Sequence, residues 1–598
     1  MEYLSAGVFV QELNSGARPI AGVGTTTLAL LGKAERGPIN TPVLVTSMGD
    51  FYRTFGNIAR YRVGATDYEF FYLGMALSLF FANGGTRAYI VRIANTTGGP
   101  GHAAVAATAD WTTLWTRTAK NEGIWGNRIS DILTEDSNNQ GVIVGEVQDI
   151  STGTFTLNFH PVKPYSVQFT YNSGAGPTTI VCHDGGDGKL YDASGGQVGT
   201  INYDSGVCAI TSPTPLTLIG GITYGYKMYV YEIYYQDNPQ DRGTKRLVER
   251  FDNLDLVNEA GQRYFPNVVN DEDTGSEYVK ITKLSGGVPS PLPSESYLEN
   301  GAEGDTISDT ELQAGLDSLD HTTDMMMLVA PDTQFAGIAS SSKVLIDYAD
   351  NRGDCFAILE TPASLKQESD MSEVVKYVQA TLNKNTSRAA LYHPWVRIAD
   401  PLAQARKVDF PPAAIIAGIY ARTDITRNVS KTPAGITDGA LRGVLELTYS
   451  TNKSQRDVIY PARVNPLVDE PQTGLCVWGG RTLSLDSLWK YIGVRRLFQF
   501  LEKSTFLATH WVVFENNDAT TRTRVRLQME AFLLFLFQQD YFAGKTPSEA
   551  FYVVCDESNN PQSVVDQGLL ICDIAVAPKN PAEYVVYRFQ QKTATATV

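Results

Sequence analysis

Apolar residues recur every three or four positions in two segments near the C-terminus, Leu485–Leu501 and Val525–Phe537. This period predicts two helices that each bury an apolar face. The second segment is apolar on almost every side, so we expect it to be a buried helix. Its thirteen residues are fewer than the roughly 20 that cross a bilayer. Between the two helices, Thr509–Phe514 has the composition of a short strand.

The middle of the chain alternates between helical segments and short apolar runs. Helices and strands that alternate in this way indicate a parallel α/β sheet. Near the N-terminus, another predicted helix ends at the Asn83-Gly84-Gly85 stop, and a predicted strand follows it. The predicted helices are Tyr68–Phe81, Glu311–Leu319, Ser342–Gly353 and Ser372–Asn383, and the predicted strands are Ala88–Ile93, Met325–Pro331, Asp354–Pro362 and Ala389–Ile398.

Residues 149–226 are rich in Thr, Tyr, Val and Gly and contain several turn-forming Asp-Gly and Gly-Gly pairs. This composition predicts an all-β unit inserted between strands in Asn121–Leu133 and Met228–Tyr235. Because those flanking strands must still pair, we expect the two ends of the insertion to lie close together. The aspartates of the insertion lack the spacing and closing Glu of an EF-hand, so turn formation is favoured over calcium binding. They are Asp184, Asp187 and Asp192.

Both ends of the chain contain β-prone segments that are set apart from the rest. Tyr3–Leu13 is followed by turn-forming residues, and Glu583–Lys592 alternates between two faces after Pro578 and Pro581. Exposed apolar strands aggregate unless something covers them. Each segment can therefore fold back on its own domain or add to the sheet edge of another chain.

Length and composition limit the classes of protein that need to be considered. At 598 residues, three or four domains are expected, and a 43% hydrophobic share without a long apolar stretch is typical of a folded chain with no transmembrane helix. The first residues lack the features of a signal peptide, so secretory export is not expected. A net charge of −16 argues against DNA binding through a basic face. Six dispersed cysteines without a CxxC pair indicate neither a zinc site nor a disulfide framework.

Tests for enzymatic motifs are negative. The chain has six histidines but no G-x-S-x-G motif, which disfavours a Ser/His/Asp triad. Ala543–Thr546 resembles the end of a phosphate-binding loop, yet Gln539 stands where the first glycine is required. Gly22–Thr27 lacks the third glycine of a dinucleotide fingerprint. We therefore predict no catalytic residue, no cofactor, no metal and no enzymatic activity.

The C-terminal segment is basic in a chain that is acidic overall. Between Asp486 and Glu530 there are seven basic and five acidic residues. Ordinary solvated helix faces explain this excess, and so does a docking surface for an acidic partner.

The order of several short motifs resembles that of contractile tail sheath proteins, which form the sheath of contractile phage tails and related injection systems. The N-terminal matches are GVFVQE, the string FFANGGTRAYIVRI and the G-x-W-G-N turn at Gly123–Asn127. Ala6 and Asn516 stand where the family commonly has proline. The C-terminal matches are Arg463, Asn465, Pro466, Trp478, Gly479, Arg481, Thr482, Phe514, Glu515, Asn517 and Gly544.

This resemblance implies an α/β and all-β multidomain fold. It comprises a subtilisin-like α/β domain, so named for its fold alone, a β-rich outer domain with a β insertion, and an α+β C-terminal sheath domain with swapped terminal strands. The expected segments are an N-terminal linking arm (1–20), the first part of the α/β core (21–100), the outer domain (101–300, insertion about 149–226), the subtilisin-like domain (301–460), the inner sheath domain (461–580) and a C-terminal linking arm (581–598).

The resemblance also implies a function. A structural subunit of this family is expected to stack as six-membered rings around an inner tube, to contact baseplate and tail terminator or cap proteins, and to contract so that the tube is driven through a target envelope. Assembly in the host bacterial cytoplasm is expected, as part of a virion tail or of a released or anchored particle, without direct nucleic-acid contact or membrane insertion. Two alternatives are a tail-associated hydrolase and a β-domain adhesin.

Specific residues follow from this expectation. The acidic partner of the basic segment would be the inner tube, and the terminal segments would pair between subunits. The candidate tube-facing residues are Lys490, Arg495, Arg496, Arg522 and Arg526. The candidate intersubunit strands contain Gly7, Val8, Phe9, Val10, Gln11, Val585, Tyr587 and Phe589.

Overall fold

The structure is a computed structural model of the chain. It describes residues 20–61, 68–96, 104–111, 114–174, 178–238, 241–285, 292–304, 307–331, 341–400, 406–471, 474–583, 586 and 588. The elements below are numbered in chain order within these ranges.

Residues 20–96 contain five strands and two helices among the described positions. They are β1 Thr27–Gly32, β2 Val43–Val45, α1 Met48–Phe55, β3 Ala59–Tyr61, β4 Tyr68–Phe70, α2 Tyr72–Ala82 and β5 Arg87–Arg92.

Residues 104–304 are almost entirely β. Their elements are β6 Ala104–Val105, β7 Thr108–Trp111, β8 Trp115–Ala119, β9 Ile129–Glu146, β10 Thr154–Thr156, β11 Gln168–Ser173, β12 Thr179–Asp184, β13 Lys189–Asp192, β14 Gln197–Asn202, β15 Val207–Ile210, β16 Leu216–Gln236, β17 Lys245–Leu254, α3 Phe265–Asn270, β18 Val279–Lys283, β19 Leu292–Tyr297 and β20 Ala302–Glu303.

Residues 307–477 return to alternating helices and strands. Their elements are α4 Asp309–Asp317, β21 Met326–Val329, α5 Ser341–Arg352, β22 Cys355–Glu360, α6 Met371–Lys376, β23 Ala389–His393, β24 Val396–Ala399, β25 Lys407–Phe410, α7 Ala413–Thr426, α8 Gly435–Asp438, β26 Glu446–Leu447, α9 Lys453–Ile459, β27 Val464–Glu470 and β28 Gly474–Val477.

The last described part of the chain is mainly helical, with one hairpin. Its elements are α10 Ile492–Ala508, α11 Ala519–Gln538, α12 Pro547–Ala550, β29 Phe551–Val554, α13 Gln562–Val565 and β30 Asp573–Val576.

An eight-stranded sheet forms the centre of the molecule, in the order β2-β5-β1-β21-β22-β23-β27-β28. The six inner strands are parallel, and β2 and β28 close the two edges antiparallel to their neighbours. One face packs against α1, α2 and α7, and the other packs against α4, α5 and α6. Helices on both faces explain why these strands are continuously apolar. The alternation predicted from the sequence is confirmed, and the sheet joins N-terminal and central segments into one domain.

The central sheet extends further along the chain than the sequence analysis proposed. The predicted C-terminal domain begins at residue 461, but β27 pairs in parallel with β23, and β28 closes the sheet after it. Residues 464–477 are therefore structural parts of the central α/β domain. Strand pairing between distant segments decides this boundary, and local periodicity carries no information about it.

The β-rich region is built on two long strands, β9 and β16, which run antiparallel from Ile129↔Tyr235 to Glu146↔Ile222. Their inner halves, with β17, cover an apolar core that contains Trp115 and Trp125. Their outer halves carry the insertion, which has a separate core. Because Glu146 and Ile222 are cross-strand partners, the insertion comprises residues 147–221 instead of the predicted 149–226, and its two ends lie side by side.

The aspartates of the insertion are turn formers, as the sequence analysis favoured. Asp184 accepts a hydrogen bond from the Gly186 amide at 2.8 Å, and Asp192 accepts one from the Gly196 amide at 2.8 Å. Asp187 accepts one from the Lys189 amide at 3.1 Å. Across the described ranges, no group of three or more His, Cys, Asp or Glu residues is arranged to hold a metal ion. In the same ranges no helix is long and apolar enough to cross a membrane.

A buried carboxylic acid lies at the end of the central strand β22. The Glu360 side chain is enclosed beside the first residue of α7, and its Oε2 atom has no hydrogen-bond partner. Burial raises the pKa of Glu360 to about 8, although a hydrogen bond from the Ala413 amide opposes the shift. The group is therefore mostly protonated in the folded protein at neutral pH.

We expect the Glu360→Gln variant to lose much of the pH dependence of stability. Below pH 4.5 the carboxyl is protonated in both states and has no effect. Between pH 4.5 and about 8 the unfolded chain releases a proton that the folded chain retains, so the free energy of unfolding falls as pH rises. The loss at pH 8 is on the order of 4 kcal/mol.

Denaturant unfolding at pH 5 and pH 8 measures this effect. The difference between the two pH values should shrink in Glu360→Gln and stay unchanged in Glu272→Gln, which alters an exposed glutamate of the β-rich region. An equal pH dependence in all three proteins would contradict a raised pKa at Glu360.

Candidate assembly site at the roots of the terminal arms

The C-terminal domain is a helical hairpin of α10 and α11 that packs on a two-stranded sheet. Its apolar core includes Leu497 and Phe500 of α10, Met529 and Phe532 of α11, and Val553 of β29. Residues 509–514 are not a strand as predicted, because a short 3-10 turn at His510–Val512 links the two helices. Phe514 follows with a positive φ of 70° and a fully exposed side chain.

Helix α11 is confirmed, but the prediction that it is buried all round is wrong for the single chain. Its inner face is enclosed, whereas Leu527, Leu534 and Phe535 are 52%, 39% and 57% exposed. These residues follow one another at helical spacing and form an apolar stripe on the outer face. This stripe is a candidate interaction surface.

The two-stranded sheet of this domain carries no third strand in the part of the chain that the structure describes. β29 and β30 pair only with each other among the described residues, from Phe551↔Val576 to Val554↔Asp573. Tyr552 and Ile574 of this open hairpin are exposed. An isolated two-stranded sheet is marginally stable, and its unpaired amides and carbonyls are a template for further strands.

The chain leaves this hairpin through residues 578–583, here called the arm root, and reaches a buried carboxylate. Glu583 receives two hydrogen bonds from Arg481, Nε to Oε1 and Nη2 to Oε2, both at 2.7 Å. Lys490 Nζ donates to Oε2 at 2.8 Å, and the Tyr460 hydroxyl donates to Oε1 at 2.7 Å. We call these four residues the Glu583 clamp. A bidentate arginine with two further donors is among the strongest arrangements for holding a carboxylate.

Further contacts hold the residues of the clamp in place. Asn465 of β27 accepts a hydrogen bond from the Arg481 amide at 2.7 Å and donates to the Arg481 carbonyl at 2.8 Å. The Arg481 guanidinium lies over the Tyr460 ring, 3.9 Å from its centroid. The Thr482 amide donates to the Lys490 carbonyl at 2.8 Å. The motifs that contain Asn465, Arg481 and Thr482 therefore build one binding site for Glu583.

The electrostatics of the clamp favour the ionised carboxylate. Burial by itself raises the pKa of Glu583, but hydrogen bonds from Arg481, Lys490 and Tyr460 outweigh it and lower the pKa to about 2. From the sequence, Glu583 is only the first residue of a β-prone segment, and its role in the clamp is not predicted. Its partners lie 93 to 123 residues away in the chain, and no local pattern indicates such pairing.

The N-terminal segment also passes over the C-terminal domain before it enters the central sheet. The Val23 amide donates to the Ser504 hydroxyl at 3.1 Å, and Ile20 and Val23 pack against the core of this domain. Gly22 lies so close to the Phe500 ring that an added Cβ would come within 2.8 Å of it. The first described residues and the arm root thus both lie on the C-terminal domain.

The five basic residues predicted to face a tube do not form one exposed face. Arg496 is 1% exposed and pairs with Asp424 through two bonds of 2.7 and 2.8 Å. Arg495 is buried against Glu502, and Arg522 is buried beside Asn517. Because their side chains are buried, these three arginines do not make an exposed contact surface, which corrects the prediction for them.

Two of the five remain accessible. Arg526 is half-buried and lies 4.0 Å from Glu530, and Lys490 is half-buried in the Glu583 clamp. Exposed Arg524, which the prediction omitted, lies over the Trp511 ring. The predicted intersubunit residues Gly7, Val8, Phe9, Val10, Gln11, Val585, Tyr587 and Phe589 lie outside the described residues.

Two family descriptions match consecutive parts of the chain. The phage tail sheath protein central domain matches residues 305–483, and the phage tail sheath C-terminal domain matches residues 484–592. Residues 305–592 therefore match the phage tail sheath family. The family boundary at 483 agrees with the end of the central sheet at Val477, so the C-terminal sheath domain begins after the strands that the sequence analysis had included in it.

Relatives in the sheath family include tail sheath proteins of two phages. The protein of Vibrio phage KVP40 is 28% identical over 348 residues, 54% of this chain and 50% of the relative. The protein of Enterobacteria phage T4 is 26% identical over 346 residues, with the same coverage. The chain thus spans about half the length of these relatives.

Solved sheath structures share the fold over nearly the whole chain. The contracted PVC sheath complex of an extracellular contractile injection system has a TM-score of 0.51 and 18% identity, and covers 99% of both chains. The contracted helical sheath of the anti-feeding prophage has a TM-score of 0.52 and 17% identity, and covers 98% of this chain and 99% of that one. The mixed α/β multidomain fold is therefore that of sheath proteins.

Proposed function

We propose that the protein is a structural subunit of a contractile tail sheath, which polymerises around an inner tube and contracts to drive the tube through a target envelope. The observation that carries the proposal is an open hairpin, β29–β30, inside the matched C-terminal sheath domain. A hairpin whose two strands pair, among the described residues, only with each other can accept strands from other chains. A chain whose two ends are β-prone can supply such strands to its neighbours.

The proposed linkage is a swapped-strand network. The segments around Gly7–Gln11 and Val585–Phe589 add to open hairpins on neighbouring subunits. Main-chain hydrogen bonds then join subunits even when the domains move, because the connecting segments flex while the ladders stay intact. Stacked six-membered rings would let every subunit give and receive both strands.

The apolar surfaces of the C-terminal domain support a buried position in such an assembly. Phe514 is fully exposed, and the stripe on α11 is uncovered in a single subunit. We propose that the inner tube and adjacent subunits cover these surfaces, with Arg524 and Arg526 as the charged contacts. Baseplate and terminator or cap proteins would cover the same surfaces at the two ends of the sheath.

The proposed contraction needs no chemical fuel. If contraction buried about 800 Å² of further apolar surface per subunit, the gross gain would be about 20 kcal/mol. Polar desolvation and ordering reduce the net gain considerably. The energy would be stored at assembly and released when a baseplate signal lets the sheath shift to the better-packed state.

We propose a structural rather than an enzymatic role. The buried histidine of the central domain, His393, hydrogen-bonds Thr361 at 3.1 Å, and burial lowers its pKa to about 4. It is enclosed at the end of β23 and faces no open cleft, which does not favour the hydrolase alternative. A hydrolase would show turnover that one nucleophile substitution abolishes.

Negative-stain electron microscopy of the purified protein tests the proposal. Striated tubes of regular diameter are the expected result, with more tubes as protein concentration rises. A protein that stays monomeric at all concentrations and binds glycans through the insertion would instead favour the adhesin alternative.

We expect the insertion to be dispensable for polymerisation. Replacing residues 147–221 by Asn-Gly joins cross-strand partners Glu146 and Ile222 with a two-residue turn of the type that suits antiparallel strands. Because the insertion has a core of its own, the central sheet and the C-terminal domain should be unaffected. Micrographs should show tubes with an unchanged inner diameter and a smaller outer diameter. A folded deletion variant that forms no tubes would show that the insertion is part of the subunit contacts.

A further inference from the structure

We propose that the Glu583 clamp is the point at which the pull of a neighbouring subunit on the C-terminal arm is transmitted to the central α/β domain. Glu583 is then a positioning residue for assembly. The inference rests on the proposed function, since it needs a neighbour that binds the arm.

The arm root is attached at two separate places. At its start, the Ala543 amide donates to the Ala577 carbonyl at 2.8 Å, and Lys579 pairs with Asp540, both within the C-terminal domain. At its end, Glu583 is bound by Tyr460 and Arg481 of the central domain. The root therefore crosses from one domain to the other.

The stretch between the two attachments has open space beside it. Residues 580–582 adjoin two cavities of about 620 and 710 Å³. Pro581 and Ala582 line both of them. With so little packing around this stretch, the position and direction of the arm beyond it depend on the clamp.

The two attachments connect the arm root to sheets of different size. The first leads back into β30, one strand of a two-stranded sheet, and a sheet of that size opens easily. The second leads to Arg481, whose main chain is fixed by Asn465 in an inner strand of the eight-stranded sheet. A load on the arm is better resisted by the larger sheet, because many more hydrogen bonds must break together. The clamp connects the arm to that larger sheet.

Substitution of the carboxylate tests the inference. Glu583→Gln keeps the size of the side chain but removes the charge, so the contacts with Arg481 and Lys490 weaken. The variant still has both terminal arms, and we expect it to polymerise at a critical concentration at least about tenfold higher than the unmodified chain. Its sheaths should be shorter, and they should break under shear that leaves unmodified sheaths intact.

A second variant keeps the test independent of folding. Lys490→Met removes one of the four contacts on a half-exposed side chain, and we expect a smaller change in the same direction. The exposed Glu272→Gln is the matched control and should behave like the unmodified chain. Thermal melting of each monomer is measured first, so that sheath strength is compared between proteins of equal monomer stability.

The outcomes separate this inference from the proposed function. If the unmodified chain forms no sheath, both fail. If it forms sheaths and both clamp variants form equally long, equally shear-resistant ones, the clamp inference is overturned and the proposed function stands. Sheaths that are weaker for Glu583→Gln than for Lys490→Met support the clamp inference. Sheath strength that only follows the melting temperature of each monomer shows a purely structural role and overturns the inference.

Discussion

A protein lacking residues 585–598 is expected to fold as a monomer and to form no sheath. The deletion keeps Glu583 and therefore the clamp, so the central and C-terminal domains lose no described contact with the arm root. It removes the segment proposed to pair with a neighbouring hairpin. Deletion of residues 1–14 should have the same effect, because Val23 and the packing around Ser504 remain. Size-exclusion chromatography with electron microscopy measures the loss of polymers at concentrations where the full chain is fully assembled.

A full-length control separates strand pairing from chain length. Aspartates at Val585, Tyr587 and Phe589 alter one face of the alternating segment, and aspartates at Val586 and Arg588 alter the other. If the first face packs on a neighbour, only the first variant should lose assembly, since a half-buried strand tolerates charge on its solvent side. Long regular sheaths from either truncated protein would mean that the terminal arms do not link the subunits.

Arg496→Met is expected to destabilise the monomer itself, by roughly 3–5 kcal/mol. The guanidinium joins α10 to Asp424 of α7 and to the Thr25 carbonyl at 2.9 Å, and neither side chain of the ion pair is accessible. Removing it leaves the buried Asp424 carboxylate without its charged partner, and among the described contacts it keeps the hydrogen bond from the Thr25 hydroxyl. Urea unfolding of the monomer measures this effect without any tube present.

Two further variants separate the structural arginine from surface arginines. Arg524→Met removes an exposed charge and should change the free energy of unfolding by less than about 1 kcal/mol. Arg526→Glu should leave monomer stability nearly unchanged and weaken co-assembly with the inner tube, more strongly at low salt. A stable Arg496→Met monomer would show that the buried ion pair is unimportant for folding. Unaltered co-assembly by Arg526→Glu at every salt concentration would exclude this arginine from tube docking.

The sequence by itself determined the features that depend on neighbouring residues. The apolar periods of Ser342–Gly353 and Asp354–Pro362 identify a helix and a buried strand, because side-chain spacing along an element is a local property. The turn-rich composition of residues 149–226 identifies an inserted β unit for the same reason. Short motifs such as those around Asn465 and Arg481 identified the family, and the matches to both sheath domains confirm it.

Tertiary structure decided which side of an element faces inward and which distant residues meet. The sequence pattern predicts an exposed position for Arg496 on its helix. The residue is buried because it pairs with Asp424, which lies 72 residues earlier in the chain. β27 looked like part of the C-terminal domain until its pairing with β23 placed it in the central sheet. Arg481 and Glu583, 102 residues apart, form one clamp. Ion pairing and strand pairing act through space, and the energy of both depends on burial that only the folded chain creates.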